Sequence, residues 1–189
     1  MADSTEAGSV VAQIVTAEAV FVGTIVLPGV PGSAAHFRFL ELLNNPRLGA
    51  SHPGQARETL ILTGATILPP TGPAISVPGE LQVRPDAIVC AFEYEKHQRA
   101  VDPRWYASMV QQKPEPVVMV TVNGIRLEGL LAGGVAALAR PQAKRFLPMV
   151  NATYAVIDNL ATRLHTPFLA VNHQTVIAFS PGVEAQAGS

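Results

Sequence analysis

The feature of this sequence that most constrains its fold is a set of short apolar blocks that occurs twice in the same order. The paired blocks are Ile14–Ile25 with Val120–Leu131, Thr59–Ile67 with Phe146–Tyr154, and Leu81–Val89 with Leu169–Ile177. Each block has the apolar residues and flanking turn residues of short β-strands. The repetition predicts an internal duplication in which each unit has about five strands, as in a small barrel or sandwich.

Asn123-Gly124 interrupts the apolar run of the first block in its second copy. This dipeptide favours a type I′ hairpin turn, because both central residues of that turn need a positive φ. The corresponding Ala17-Glu18 has no such preference, so the first hairpin is inferred from the repeat. We therefore expect a two-residue turn in both hairpins.

The composition also favours a folded chain of short strands. It combines 16 Pro and 15 Gly with a hydrophobic content of 48% and a mean hydropathy of +0.27, whereas disordered chains rich in Pro and Gly are polar. Only 14% of the residues are charged and the net charge is -1. This balance disfavours nucleic acid and anionic membranes as partners. No apolar stretch approaches the roughly 20 residues of a membrane-spanning helix, so we expect no membrane insertion.

The repeat divides the chain into a first barrel unit over residues 11–93, a linker over 94–116 and a second barrel unit over 117–180. The ends, residues 1–10 and 181–189, are expected to be flexible. In the linker, Asp102-Pro103 is a favourable helix start and predicts a short helix up to residue 112.

A second short helix is predicted over residues 34–45, where apolar residues recur at helical spacing and Pro46 follows. The corresponding segment of the second copy, residues 133–141, is shorter and consists mainly of small residues. It predicts a reduced helix there.

Val122-Asn123-Gly124-Ile125, the glycine in the strand after it and the strand-turn-strand blocks that close each copy resemble the Sm-like and SH3-like small β-barrels, here in tandem. The resemblance implies a mainly β fold of two tandem five-stranded small barrels related by internal duplication, with a short helix in the first unit and a helical linker. RNA-binding Sm-like proteins have polar and basic loops, whereas the turns here are Arg84-Pro85-Asp86 and Asn172-His173-Gln174. The resemblance therefore implies the fold and not RNA binding.

The residue types that carry catalysis or bind metals are scattered along the chain. No two of the five histidines have the close spacing of a helical metal site. Cys90 lies in an apolar strand with no local base to activate it. The glycines at 129, 133 and 134 are not followed closely by the lysine of a phosphate-binding loop. We therefore expect no enzymatic activity, no metal site and no cofactor.

Apolar side chains outside the predicted strands form a candidate interface. Its members are Phe37, Phe39, Leu40, Leu43, Trp105, Tyr106 and Met109. Together these side chains provide more apolar surface than one short helix needs in order to cover a small barrel. Packing between the two units within one chain explains them equally well as contact with a partner or a second copy.

These features together predict a non-enzymatic structural, scaffold or protein-binding subunit of a cytoplasmic bacterial assembly, in contact with a protein partner or with further copies of itself. A single cysteine and an acidic N-terminus without a signal-peptide pattern favour the cytoplasm. The alternative is a sensor of a small molecule or signalling ligand, bound between the two units. Its candidate ligand loop contains Arg47, His52 and Arg57, because the two copies differ most there.

Overall fold

The computed structural model describes residues 8–27, 35–46, 59–93, 111–139, 144–156 and 159–182, without the side chains of residues 35–38 and 159–162. We call residues 8–93 the first half and residues 111–182 the second half. The strands of the first half are β1 (Ser9–Thr16), β2 (Val20–Val26), β3 (Leu60–Leu68), β4 (Ile75–Ser76), β5 (Glu80–Val83) and β6 (Ile88–Glu93). Those of the second half are β7 (Glu115–Thr121), β8 (Ile125–Leu131), β9 (Phe146–Val156), β10 (Asn159–Asn172) and β11 (Val176–Pro181).

All these strands belong to one antiparallel sheet of eleven strands. The order is β11-β7-β8-β9-β10-β6-β1-β2-β3-β4, and β5 pairs with β3 beside β4. The predicted mainly β fold class is confirmed. The described strands form one open sheet, however, and not two separate sheets, because β10 of the second half pairs with β6 of the first.

Each half has the same internal strand order. The last strand pairs with the first, the first with the second, and the second with the third. The third strand then pairs with β10 in the second half, and with β4 and β5 in the first half, where Val77-Pro78-Gly79 separates the two pieces. The first half therefore has six strands where the sequence predicts five. In both halves a 3₁₀ turn follows, at Pro85–Ala87 and at His173–Thr175.

The two halves also share an irregularity between their second and third strands. The register shifts at Gly23 in β2 and at Gly129 in β8. Opposite these glycines lie Gly64, with φ of 58°, and Asn151, with φ of 49°. Both residues adopt the left-handed conformation that Gly and Asn tolerate best. The third strand of each half therefore has one extra residue, a β-bulge, at the same place.

Steric crowding explains why glycine occupies positions 23 and 129. A Cβ added to Gly23 would lie 3.0 Å from Leu62 Cβ, and one added to Gly129 would lie 3.0 Å from both Ala152 Cα and the Val150 carbonyl oxygen. The second and third strands of each half thus approach so closely that a Cβ at either glycine would force its neighbours to move by a few tenths of an ångström.

The hairpin between β7 and β8 differs from the expected one. Only Gly124 has a positive φ, of 68°, and its N–H donates to the Thr121 carbonyl oxygen at 3.0 Å. The turn is a three-residue loop, so the predicted two-residue type I′ turn is wrong here. The Asn123 amide instead donates to the Thr16 carbonyl oxygen at 3.1 Å, which links this hairpin to that of the first half.

Two helices are described, α1 (Ala35–Asn44) and α2 (Gly134–Ala139). They confirm the helix predicted before Pro46 and the reduced helix of the second copy. Most of the linker, residues 94–110, lies outside the described residues, as do most of the expected flexible ends. None of the described helices has the length and apolar character needed to cross a membrane.

Buried apolar side chains form two clusters. The first includes Ile14 and Leu62 of the first half together with α1, and it extends to Phe168 of the second half. The second includes Met119 and Leu127 of the second half, and it extends to Phe92 of the first. Each cluster contains residues from both halves, so the halves stabilise each other across their junction.

We expect Gly129→Ala to lower the free energy of unfolding by about 1–3 kcal/mol, because the new methyl group meets backbone atoms of β9 that a side-chain rotation cannot move. Denaturant unfolding measures this change as a lower midpoint at an unchanged slope.

The matched control is Gly64→Asn, which adds a larger side chain where a Cβ would have no neighbour within 4 Å and where the second half already has Asn151. Its loss of stability should be clearly smaller. Equal losses for the two variants would contradict the explanation by close approach.

Candidate interaction surface

The junction between the halves is a short antiparallel pairing. Ala170 and Val171 of β10 lie opposite Ala91 and Cys90 of β6. All four side chains are fully buried. We call this pairing the internal joint.

Asn172 fixes the end of the internal joint. Its side chain, 1% exposed, donates from Nδ2 to the Ile88 carbonyl oxygen at 2.8 Å. Its Oδ1 accepts the Gln174 N–H at 3.1 Å, and its own carbonyl oxygen accepts the Thr175 hydroxyl at 2.8 Å. The Asn172 side chain thus connects β6 to the 3₁₀ turn at His173–Thr175. These bonds also give the buried amide the partners that buried polar groups require.

An aromatic contact and a thiol complete the packing beside the joint. The rings of Phe92 and Tyr154, which belong to different halves, have centroids 6.0 Å apart. Burial raises the pKa of the Tyr154 hydroxyl to about 12 and raises the pKa of the Cys90 thiol. Both groups stay uncharged at neutral pH.

Helix α1 provides a second connection between the halves. Asn44 at its end donates to the Phe146 carbonyl oxygen at 3.0 Å and accepts the Phe146 N–H at 2.8 Å. The side-chain amide thus satisfies both backbone groups at the start of β9, as a neighbouring strand would.

The two ends of the described sheet lack the covering strand that buries the internal joint. Strand β11 occupies in the second half the place of β6 in the first, and it pairs with β7 only, within the described chain. All six residues of β6 are buried, whereas five of the six in β11 are exposed. Ile177 and Phe179 are 65% and 42% exposed. Strand β10 lies beside β6 and helps to bury it, whereas no described strand lies on the free side of β11.

The opposite end of the sheet shows the same contrast. Strand β5 holds the place of the last part of β10, and its only strand partner in the described chain is β3. Leu169–Asn172 is buried throughout. In the corresponding Leu81–Arg84, Gln82 and Arg84 are exposed and only Val83 is buried. The described sheet therefore ends in two unpaired edges, β11 at one end and β5 together with the short β4 at the other.

The structure places part of the predicted interface inside the protein. Phe39 and Leu43 are each 1% exposed and Leu40 is 7% exposed, all within the first core cluster. Packing within the chain accounts for these three. The Phe37 side chain, Trp105, Tyr106 and Met109 lie outside the described residues.

The predicted ligand loop, with Arg47, His52 and Arg57, also lies outside the described residues. Its flanking residues Pro46 and Thr59 line a groove of about 130 Å³ formed by the first half alone.

A larger groove, of about 680 Å³, includes residues of both halves. It lies between the turn at Ala17-Glu18, strand β5 and the 3₁₀ turn after it, with Val122 and Thr175 from the second half. Arg84 and Asp86 beside it form a two-contact ion pair at 2.6 and 3.1 Å. The arginine lowers the pKa of the Asp86 carboxyl group.

Among the described side chains, no group of three or more His, Cys, Asp or Glu is placed to hold a metal ion. Cys90 is fully buried, and its raised pKa keeps it a thiol. Since the thiolate is the nucleophile, its position disfavours a catalytic role.

The two edge strands were not predicted from the sequence. The signal for β11 was the apolar run Val176-Ile177-Ala178-Phe179, because its counterpart in the first copy is the buried strand β6. The last strand of the chain has the same kind of sequence but no described strand to cover it.

No protein-family model matches the sequence, and a search of curated proteins gives no match either.

Replacing Asn172 with Ala should lower the free energy of unfolding by about 1–3 kcal/mol, because it leaves the Ile88 carbonyl oxygen buried without this donor. The control is Gln174→Ala, two residues away at an exposed position, which should have little effect. Thermal or denaturant unfolding measures both. A similar loss for the control would show that the 3₁₀ turn matters and not the buried amide.

We also expect Cys90 to resist alkylation in the folded protein and to react fully in denaturant, because its thiol is buried and protonated. The variant Gln174→Cys adds an exposed thiol as a control and should be modified rapidly at that position alone. Mass spectrometry of the native protein after reaction distinguishes the two sites. Rapid modification of Cys90 would reopen a reactive role for it.

Proposed function

We propose that the chain consists of two copies of one small β-barrel unit, residues 11–93 and 117–180, joined by a helical linker. The support is the common strand order, the 3₁₀ turn at the same place in both halves and the matching β-bulges opposite Gly23 and Gly129. Irregularities of this kind are specific features of a fold and are retained within families.

We further propose that the protein is a non-enzymatic structural or scaffold subunit of a cytoplasmic bacterial assembly. The single observation that carries this proposal is β11, an edge strand with five of six residues exposed that include Ile177 and Phe179. Exposed apolar edge strands tend to pair with other chains, and soluble proteins usually protect them. The assembly would provide that protection.

The proposal is tested by measuring the mass of the purified protein in solution by size-exclusion chromatography with light scattering. We expect a species of more than one 19.9 kDa chain, or a stable complex with a partner from the native source. The double variant Ile177→Lys, Phe179→Lys should shift the mass towards one chain, because charged side chains block edge pairing.

The control is Val156→Lys, which places one lysine at an apolar residue that is 40% exposed at the end of β9. It should leave the mass unchanged. A protein that stays a single chain at all concentrations and retains no partner would contradict the proposal.

A second candidate function is the sensing of a small molecule in the 680 Å³ groove, since that groove is lined by both halves and has the volume of a typical ligand site. A ligand at about 100 times its dissociation constant should stabilise the protein by roughly 2.7 kcal/mol in a thermal-shift screen of nucleotides and metabolites. Ala17→Trp, which narrows the groove, should abolish the shift. The absence of any thermal shift would exclude the tested compounds as ligands of the groove.

A further inference from the structure

Asn123-Gly124, in the loop between β7 and β8, is the only Asn-Gly pair in the sequence. Asparagine is a thermolabile residue, because its side-chain amide can be lost as ammonia. A following glycine favours this loss, since glycine has no Cβ to keep its backbone nitrogen away from the asparagine side chain. The other asparagines of the chain are all followed by residues that have a side chain. The β7–β8 loop therefore contains the asparagine that is chemically most reactive.

We propose that Asn123 is a modification site at which the amide is lost spontaneously, and that this loss breaks the hydrogen bond between the two hairpins. The backbone nitrogen of Gly124 attacks Cγ of Asn123. A bond from this nitrogen to Cγ forms, the bond from Cγ to Nδ2 breaks, and Nδ2 leaves as ammonia with the proton that the Gly124 nitrogen gives up. A water molecule then opens the cyclic imide, which leaves aspartate or isoaspartate at position 123.

The intact amide uses both of its ends. Nδ2 of Asn123 donates to the Thr16 carbonyl oxygen at 3.1 Å, and Oδ1 accepts the Thr121 hydroxyl at 2.6 Å. A carboxylate in the same place could still accept from Thr121, but it has no hydrogen to donate. Its second oxygen would face the Thr16 carbonyl oxygen, and two acceptors repel each other. The modification therefore removes the one donor that joins this loop to Thr16 and replaces it with a negative charge.

The folded loop restrains the reaction. The N–H of Gly124, whose nitrogen would attack, donates to the Thr121 carbonyl oxygen at 3.0 Å. Cγ of Asn123 is held in place by the two hydrogen bonds of its amide, one of them to the fully buried Thr121. The nitrogen and Cγ can react only after these bonds open, and local opening of a folded chain costs free energy. We therefore expect folding to slow the loss of the amide.

The affected contact lies beside the larger groove. Thr16 and Val122 both line the groove of about 680 Å³, together with Ala17 and Glu18 of the first hairpin loop. The Val122 N–H also donates to the Thr175 carbonyl oxygen at 2.9 Å, so the β7–β8 loop stays attached on that side when the amide is lost. The modification thus alters one wall of this groove and leaves its other attachment in place. The site does not depend on the proposed scaffold role.

Peptide mapping by mass spectrometry tests the site and the restraint. The full chain is incubated in weakly alkaline buffer, with and without denaturant, and the conversion of each asparagine is followed with time. In denaturant, Asn123 should convert faster than Asn151 and Asn172, which are followed by alanine and histidine. In the folded chain, conversion at Asn123 should be at least about tenfold slower than in denaturant, because it waits for local opening.

Two variants separate the chemistry from the fold. Gly124→Ala, measured in denaturant so that its folding does not matter, should slow conversion at Asn123, because the added methyl group hinders the attacking nitrogen. Thr121→Val, measured in the folded chain, should speed it, because Oδ1 loses its hydroxyl donor while the side chain stays β-branched. Equal rates with and without denaturant would overturn the restraint. No conversion at Asn123 in denaturant would overturn the site itself.

The structural consequence is tested with Asn123→Asp, which reproduces one product of the reaction. At neutral pH its denaturant midpoint should lie below that of the unmodified chain, and Asn123→Ala, which removes the donor without adding a charge, should lose less. In acid the protonated carboxyl group can donate to the Thr16 carbonyl oxygen. The folded state therefore favours the protonated form, and the loss should appear as the pH rises through the pKa of the new carboxyl group. A midpoint equal to that of the unmodified chain at neutral pH would overturn the proposed break between the hairpins.

Discussion

The pairing of β6 with β10 is the interaction on which the rest of the structure depends. Alternate residues of a strand face opposite sides of the sheet. In β6, Ala91 belongs to the first core cluster while Cys90 and Phe92 belong to the second, and the irregularity at Val89 places Ile88 in the first cluster as well. One strand therefore contributes to both cores, and separation of the halves would expose both at once. A half of this size buries too little surface to be very stable alone, so the shared strand matters energetically.

Helix α1 shows how the second connection differs from the first. Its apolar residues Phe39, Leu40 and Leu43 fill the first core cluster, and Asn44 at its end pairs with the backbone of β9. The helix thus packs within the first core cluster and contacts β9 of the second half, whereas the corresponding helix α2 is shorter and packs Val135 and Leu138 against the second cluster. Of the two helices, α1 has the larger apolar face and a polar connection to the other half.

Much of the fold could be predicted because its signals are local. Apolar runs, turn residues and the repeat gave the strands and both described helices. The internal joint could not be predicted, because Asn172 and its partner Ile88 are 84 positions apart and strand pairing leaves no mark in local sequence. For the same reason Phe39 and Leu43 looked equally suited to packing and to an interface. The prediction for the β7–β8 hairpin was wrong for another reason. The Asn123 side-chain amide contacts Thr16, and this tertiary contact outweighs the preference of Asn-Gly for a two-residue turn.

An open sheet of this kind raises the question of what protects its edges. Natural edge strands are shortened, charged or covered. Here the β5 end has Glu80 and the exposed ion pair of Arg84 with Asp86, whereas the β11 end has Ile177 and Phe179 and no charged residue. Charged side chains at β5 oppose pairing there, because they would lose their hydration on burial. The β11 edge has no such charge, and a covering strand would remove Ile177 and Phe179 from water. Of the two ends of the described sheet, β11 is therefore the one where a further strand would bind more favourably.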